Sequence, residues 1–253
     1  MGDDQIFRIV LVVGMLIFMP VGIYHRVKSQ ASRETLDRRQ EGLFILFTLR
    51  PLGLAMMASL MGILVATGAY DITLVGATPA WTGLGLALQA AVTEELWMRA
   101  LLLRLLWRAF GPVPAFIVAA LVFGALHLAN PGATPLAGAT VVMAGLMFCA
   151  LYAWTGRLWV PIGVHLAWNL AQGYLFGATV SGGTLGGSVL LSTARPGAPA
   201  WLTGGTFGPE ASVLALILVA TVTVAALALA RKTGSFAARP RSATAPDPVI
   251  SPS

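Results

Sequence analysis

Long apolar runs separated by short polar turns repeat along most of the chain. Apolar runs of about 17–25 residues match the ~20 residues that an α-helix needs to cross the ~30 Å hydrocarbon core of a bilayer. Seven such runs occur, at about 6–24, 51–70, 82–107, 113–129, 135–155, 160–177 and 211–230. The pattern predicts an all-α, polytopic transmembrane helical bundle of about seven spans. Two stretches break it. Residues 178–208, rich in Gly, Ser and Thr, predict a long outer loop that can dip into the interface at Val189–Leu191. Residues 232–253, rich in Pro, Ser and Ala with little to bury, predict a disordered tail. The chain then divides into two N-terminal helices with a basic loop (1–80), a helical core (81–177), the outer loop (178–208), a last spanning helix (209–231) and the tail.

Charge orients this bundle. The loop after the first run, HRVKSQASRETLDRRQEG, carries Arg26, Lys28, Arg33, Arg38 and Arg39, and Arg50 opens the second run. Alternating from an outside N-terminus puts this loop inside, together with the turns at Arg104, Arg108 and Arg157 and the end at Arg231 and Lys232. Asp3, Asp4, Asp71 and Glu210 fall outside, where Arg195 is the sole base. The excess of Lys and Arg on cytoplasmic flanks therefore predicts N-terminus outside and C-terminus inside. The start, MGDDQ, is acidic and no small-x-small cleavage site follows, so the first run is expected to stay as an anchor.

Composition agrees with the pattern. Of 253 residues, 57% are hydrophobic and 10% charged, against about 25% charged in soluble domains. An integral membrane protein without a separate soluble domain is expected, placed by its compactness in the bacterial inner (plasma) membrane. The net charge of +6 comes from bases flanking apolar runs, a membrane-surface pattern rather than a nucleic-acid one. The single cysteine, Cys149, lies in an apolar run and reads as core packing.

Against this background a few polar residues stand out. Between Asp71 and Glu210 the only acids are Glu94 and Glu95, in AVTEELWMRALLLRLL, and His127 and His165 also fall in predicted spans. Ionisable groups inside a membrane are functional candidates by default. Glu95 and Arg99 are four apart and share a helix face, so they can pair. Glu94 points about 100° away from Glu95, free to face a cavity. His165 and Asn169 are again four apart, which gives one face an imidazole and an amide donor. His127 follows Phe123 by four residues near the outer end of its span.

In order, Glu94-Glu95-x-x-x-Arg99, Phe123-x-x-x-His127 and His165-x-x-x-Asn169 resemble the three motifs of the CPBP intramembrane proteases, which include the type II CAAX prenyl endopeptidases and the bacterial Abi proteins. GRLWVPIGVHLAWNL also looks like the usual approach to the third motif, and the likeness covers about residues 81–176. Met98 stands where the family often has Phe, and Ala100 where Gly is common; neither position supplies a reactive group. The resemblance implies an intramembrane endopeptidase in which Glu94 and His127 activate a water and His165 and Asn169 steady the oxyanion. Spacing alone makes Glu95 with Arg99 a supporting ion pair. The site is expected in a cavity between spans three, four and six. The expected partners are the lipid bilayer and a membrane-associated or lipid-modified peptide substrate, with no nucleic acid. No cofactor is expected.

Other readings of the same residues stay open. Glu94, His127 and His165 could hold a catalytic zinc, although HExxH on one helix is absent. The two glutamates could pair with Arg99 and Arg104 as helix locks, and His165 and Asn169 could bond across helices. A non-catalytic interaction or bacteriocin-immunity-type protein on the same fold is one alternative. A proton-relaying transporter is another, but no paired halves of Gly/Pro-broken helices appear. Upright helices leave a conflict in depth, because Glu94 falls near mid-span and His165 just after an inner turn. Trp81, Trp107, Trp154, Trp159 and Trp201 near span ends fit an aromatic belt.

Overall fold

The computed structural model describes residues 50–234. The expected first span at 6–24, the basic loop behind it and the tail beyond residue 234 lie outside the described residues. The described residues are mostly helical. Helix α1 (Arg50–Ala66) leads into strand β1 (Tyr70–Leu74). Helix α2 (Trp81–Glu95), a π-helical stretch (Leu96–Leu102) and α3 (Leu103–Phe110) then form one unbroken helical run. After them come α4 (Pro112–His127), α5 (Pro135–Thr155), and α6 (Trp159–Leu170) with a second π-helical stretch (Ala171–Leu175). Strand β2 (Leu190–Ala194), the short α7 (Ala200–Thr203), a 3-10 turn (Pro209–Ala211) and α8 (Val213–Lys232) complete the described chain.

Local sequence sets these boundaries. Gly111, with φ 83°, breaks the run, and Pro112 opens α4 where a missing N–H costs nothing. Thr134 caps α5 by accepting from the Ala137 amide at 3.1 Å, and left-handed Gly156 ends it. Ser212 caps α8 in the same way through Ala215, and Arg231 and Lys232 sit in its last turn, where cations complement the helix dipole.

Among the described residues two helices, Pro135–Thr155 and Val213–Lys232, are long and apolar enough to cross a membrane, and Leu52–Ala66 and Pro112–His127 are shorter apolar helices. They sit differently in the bundle. Helix α5 is enclosed, with buried residues all along its length, whereas α8 leaves Ile217, Val224 and Leu229 exposed. Helix α4 leaves Ile117, Val118 and Leu121 exposed while burying Phe116, Ala119 and Phe123. Small residues let α4 and α5 meet closely: a Cβ on Gly145 would lie 3.0 Å from the Ala120 Cα.

Several expectations are corrected. The described fold is not purely helical, because β1 pairs antiparallel with β2 in the register Tyr70↔Ala194 to Leu74↔Leu190. Five-residue strands in exposed connections leave too little signal beside long apolar runs. The second run therefore ends as a helix at Ala66, not near residue 70, and the outer loop 178–208 contains β2 and α7. The last helix begins at Val213 rather than 209, since Pro209 and the Ser212 cap set its start. Trp81, Trp159 and Trp201 are exposed, but Trp107 is buried edge-on against Phe116, so burial rather than an aromatic belt explains it.

The small sheet is tied down at its end. Arg195 donates to Asp71 Oδ1 from Nε at 2.9 Å and Nη2 at 2.7 Å. The guanidinium holds the Asp71 carboxyl below its ordinary range, and Asp71 raises Arg195 in turn. The buried Tyr70 hydroxyl donates to the Thr203 carbonyl at 2.8 Å, and burial pushes its pKa up to about 12.

Candidate active site

The six polar residues singled out by sequence gather where α2, α4, α5 and α6 meet. Chain geometry explains part of this. Glu94 stands 17 residues before Gly111 and His127 stands 16 after it. At about 1.5 Å per residue, the two arms of that hairpin return to the same level. Arg99 and Phe123 are likewise each 12 residues from Gly111, and the guanidinium lies 4.6 Å from the Phe123 ring centre. His165 is only nine residues past Gly156, so α6 must be tilted, or its turn set deeper, for its ring to reach this level.

Glu95 and Arg99 form the buried base of the cluster, both with no exposed surface. Arg99 Nη1 donates to Glu95 Oε1 at 3.1 Å and Nη2 donates to the Gly145 carbonyl at 3.2 Å. The guanidinium is also held between Phe123 and Phe148, at 4.6 and 5.0 Å from their centres. Cation–π contact of this kind is strongest when desolvated. Glu95 has a second partner in His165, whose Nδ1 lies 3.0 Å from the same Oε1. The Phe148 ring stacks on His165 at 5.0 Å and 22°. Glu95 thus orients an imidazole while Arg99 neutralises Glu95.

His127 is oriented from within its own helix, with Nδ1 2.8 Å from the Phe123 carbonyl. A carbonyl can only accept, so Nδ1 carries hydrogen; the same logic applies to His165 Nδ1 against the Glu95 carboxylate. Both Nε2 atoms are left to face inward. They converge on one atom, Glu94 Oε2, at 3.8 Å from His127 and 4.0 Å from His165. That oxygen is buried and accepts no hydrogen bond from the protein, although the Glu94 side chain as a whole is 32% exposed. The π-helical stretch begins directly after this pair of glutamates, and Leu103 N–H reaches back to the Met98 carbonyl five residues earlier. Such π turns occur often at functional sites.

His127, His165 and Asn169 line one cavity of about 50 Å³ with Phe123, Phe148 and Met147. At roughly 10–15 Å³ per water, it has room for a few waters. Its remaining walls come from α5, α8, Ser181 and Glu210. Spans three, four and six do meet here through Glu94, His127 and His165, while this cavity takes no lining residue from α2, and Glu94 meets it through the two imidazoles. Glu210 is buried and accepts from Trp168 Nε1 at 3.2 Å and from Ser181 N and Oγ at 2.7 and 2.5 Å. Charge patterning alone marks Glu210 only as an outer, orienting charge. A signal was present, since it is the only acid between Glu95 and Asp247.

A zinc ion held by Glu94, His127 and His165 would need the three side chains to draw closer together. Ligand atoms about 2.0–2.1 Å from a tetrahedral zinc lie near 3.3 Å apart, closer than the separations to Glu94 here. Among the described residues, no group of three His, Cys, Asp or Glu is placed to hold a metal ion.

Residues 76–171 match the family model described as type II CAAX prenyl endopeptidase Rce1-like. That stretch contains all six residues of the cluster. No curated protein and no solved structure matches the chain.

Proposed function

We propose that the chain is a CPBP/CAAX-type protease, the family whose model residues 76–171 match, and that it is an intramembrane endopeptidase that hydrolyses a peptide bond with a water activated by Glu94 and His127. The observation that carries this reading is the convergence of two oriented imidazole Nε2 atoms on the unpartnered Glu94 Oε2. A water about 2.8 Å from both Glu94 Oε2 and His127 Nε2 fits the 3.8 Å between them. Glu94 takes the water proton as oxygen attacks the scissile carbonyl carbon. The resulting oxyanion accepts from the Asn169 amide and from His165, whose Nε2 donates only when the ring carries both protons. The proton then passes to the leaving amine as the C–N bond breaks. General-base help contributes about 10²–10⁴-fold, and each oxyanion donor about 10²–10³-fold.

Glu95 and Arg99 act as supports in this scheme, holding His165 rather than meeting substrate. Hydrolysis without a metal is preferred because Glu94 supplies the base and the donor set fits a zinc site poorly. The substrate is a membrane-associated or lipid-modified protein. The match to the family model and the two long apolar helices among the described residues support an integral membrane protein. We place it in the bacterial inner membrane with about seven spans, N-terminus outside and C-terminus inside. The pairing of β1 with β2 supports this topology, since both were assigned to the outer side by charge alone.

The test is cleavage of quenched peptides, with and without a prenyl group, by detergent-purified wild type and His127→Ala, each with and without a zinc chelator. Cleavage that survives chelation and is lost in the variant supports the proposal. Cleavage abolished by chelator and restored by zinc would replace it with the metal-dependent reading. Absence of cleavage would favour the non-catalytic alternative.

A further inference from the structure

We propose that Glu210 is a positioning residue of the hydrolytic site, latching the 178–208 connection and the start of α8 onto α6 so that His165 and Asn169 keep their places on the cavity wall. The inference rests on the proposed hydrolase and adds to it a residue that lies outside the three motifs and outside the matched stretch 76–171.

Three elements meet at this carboxylate. Glu210 belongs to the 3-10 turn before α8, Ser181 to the connection after α6, and Trp168 to α6 itself. Trp168 is the residue before Asn169 and three after His165, so a hold on its indole is a hold on the helix that carries both. Oε2 accepts the indole N–H at 3.2 Å, while Oε1 accepts both Ser181 donors. Neither oxygen is spent on a cation in these bonds. A buried carboxylate satisfied by one backbone and two side-chain donors is costly to create, and serves to fix the three groups that satisfy it.

The backbone at the latch is held in unfavourable conformations. Ser181, with φ 47°, is the one non-glycine residue with positive φ among the described residues. Such strain persists only where surrounding contacts over-determine it, and it gathers at functional sites. Gly208, with φ 118°, leaves no room for a side chain, because a Cβ there would run into the Thr179 carbonyl and come within 3.1 Å of Gln172 Nε2. Gln172 in turn donates to that same carbonyl at 2.6 Å, and Gly182 N donates to the Phe207 carbonyl at 2.9 Å. Ser181 and Glu210 also line the cavity beside His165 and Asn169, so the latch forms part of the site's wall.

Two readouts test this, one without catalysis. The first is kcat and KM for a cleaved peptide with wild type, Glu210→Ala, Glu210→Gln and Trp168→Phe. Misplacement of about 1 Å can cost as much as 10²-fold, so Glu210→Ala should lower kcat by at least about tenfold while KM stays within about threefold. Glu210→Gln keeps one acceptor and should fall between Ala and wild type. The second readout is the rate of maleimide labelling of Ala144→Cys, a cavity-lining position, in a Cys149→Ala background. Removing the latch should raise that rate several-fold.

Unchanged kcat and unchanged labelling in Glu210→Ala would overturn the inference and leave the hydrolase reading intact. Faster labelling in a protein that cleaves nothing would retain the latch and remove the hydrolase. If Glu210→Ala does not fold, Trp168→Phe and Ser181→Gly each remove one bond of the latch. They must then lower kcat and raise labelling, or the inference fails.

Discussion

Replacing Arg99 by Met removes a permanent cation from beside Glu95, a carboxylate that has no exposed surface. In the native protein Glu95 Oε1 takes Arg99 Nη1 at 3.1 Å and His165 Nδ1 at 3.0 Å, while Glu95 Oε2 and Arg99 Nε have no protein hydrogen-bond partner. Breaking a buried pair from one side leaves an uncompensated charge and costs about 3–5 kcal/mol. Lost cation–π contact with Phe123 and Phe148 adds about 0.5–2 kcal/mol. At roughly 2–4 °C per kcal/mol for a chain of this size, even the lower figure lowers Tm by about 6–12 °C. Glu95→Gln strands the guanidinium instead and should also destabilise. The double variant buries no net charge and should recover much of the loss, because isolated neutral groups of similar volume often replace buried pairs without cost. Thermal and dodecyl sulfate unfolding of wild type, both single variants and the double variant in detergent completes a double-mutant cycle. A coupling of at least about 2 kcal/mol is expected. An Arg99→Met protein within about 1 kcal/mol of wild type, with no coupling to Glu95→Gln, would refute the description of this pair as the electrostatic base of the site.

Other expectations follow from the same geometry. Asn169→Ala should reduce kcat by about 10²–10³-fold with little change in KM, measured on the peptide that wild type cleaves; a matching loss in KM alone would remove Asn169 from the oxyanion role. Because Arg195 lowers the Asp71 carboxyl, this pair contributes stability above the unfolded Asp pKa of about 3.9 and loses it as pH falls through the lower folded value. The gap in Tm between wild type and Asp71→Asn should accordingly be small, present at neutral pH, and closed once pH drops below that folded value. Tyr70→Phe should cost about 1 kcal/mol by leaving the Thr203 carbonyl without its donor, read from denaturant or thermal unfolding.

The sequence made the chemistry legible before the architecture. Glu94, Glu95, Arg99, His127, His165 and Asn169 stood out because polar residues are scarce in apolar helices, and four-residue spacing alone paired Glu95 with Arg99. Apolar length likewise marked α4 and α5 closely. What spacing could not supply was depth: the match of Glu94 with His127 depends on counting both arms from Gly111, and the reach of His165 on how α6 is set. The β1–β2 pair was hidden because its strands are five residues long and far apart in the chain. The role of Glu210 was hidden for a different reason. A lone acid beside Gly-Pro in a connection normally faces solvent, and only the fold brings Trp168 and Ser181 to it.

The most direct measurement is kcat of Glu94→Gln, in protein whose Tm and helical content match wild type. The substitution preserves shape and removes the base that the two imidazoles face. A fall of at least about 10³-fold is predicted, in line with general-base and electrostatic contributions acting together. Turnover within about tenfold of wild type would contradict the central role assigned to Glu94.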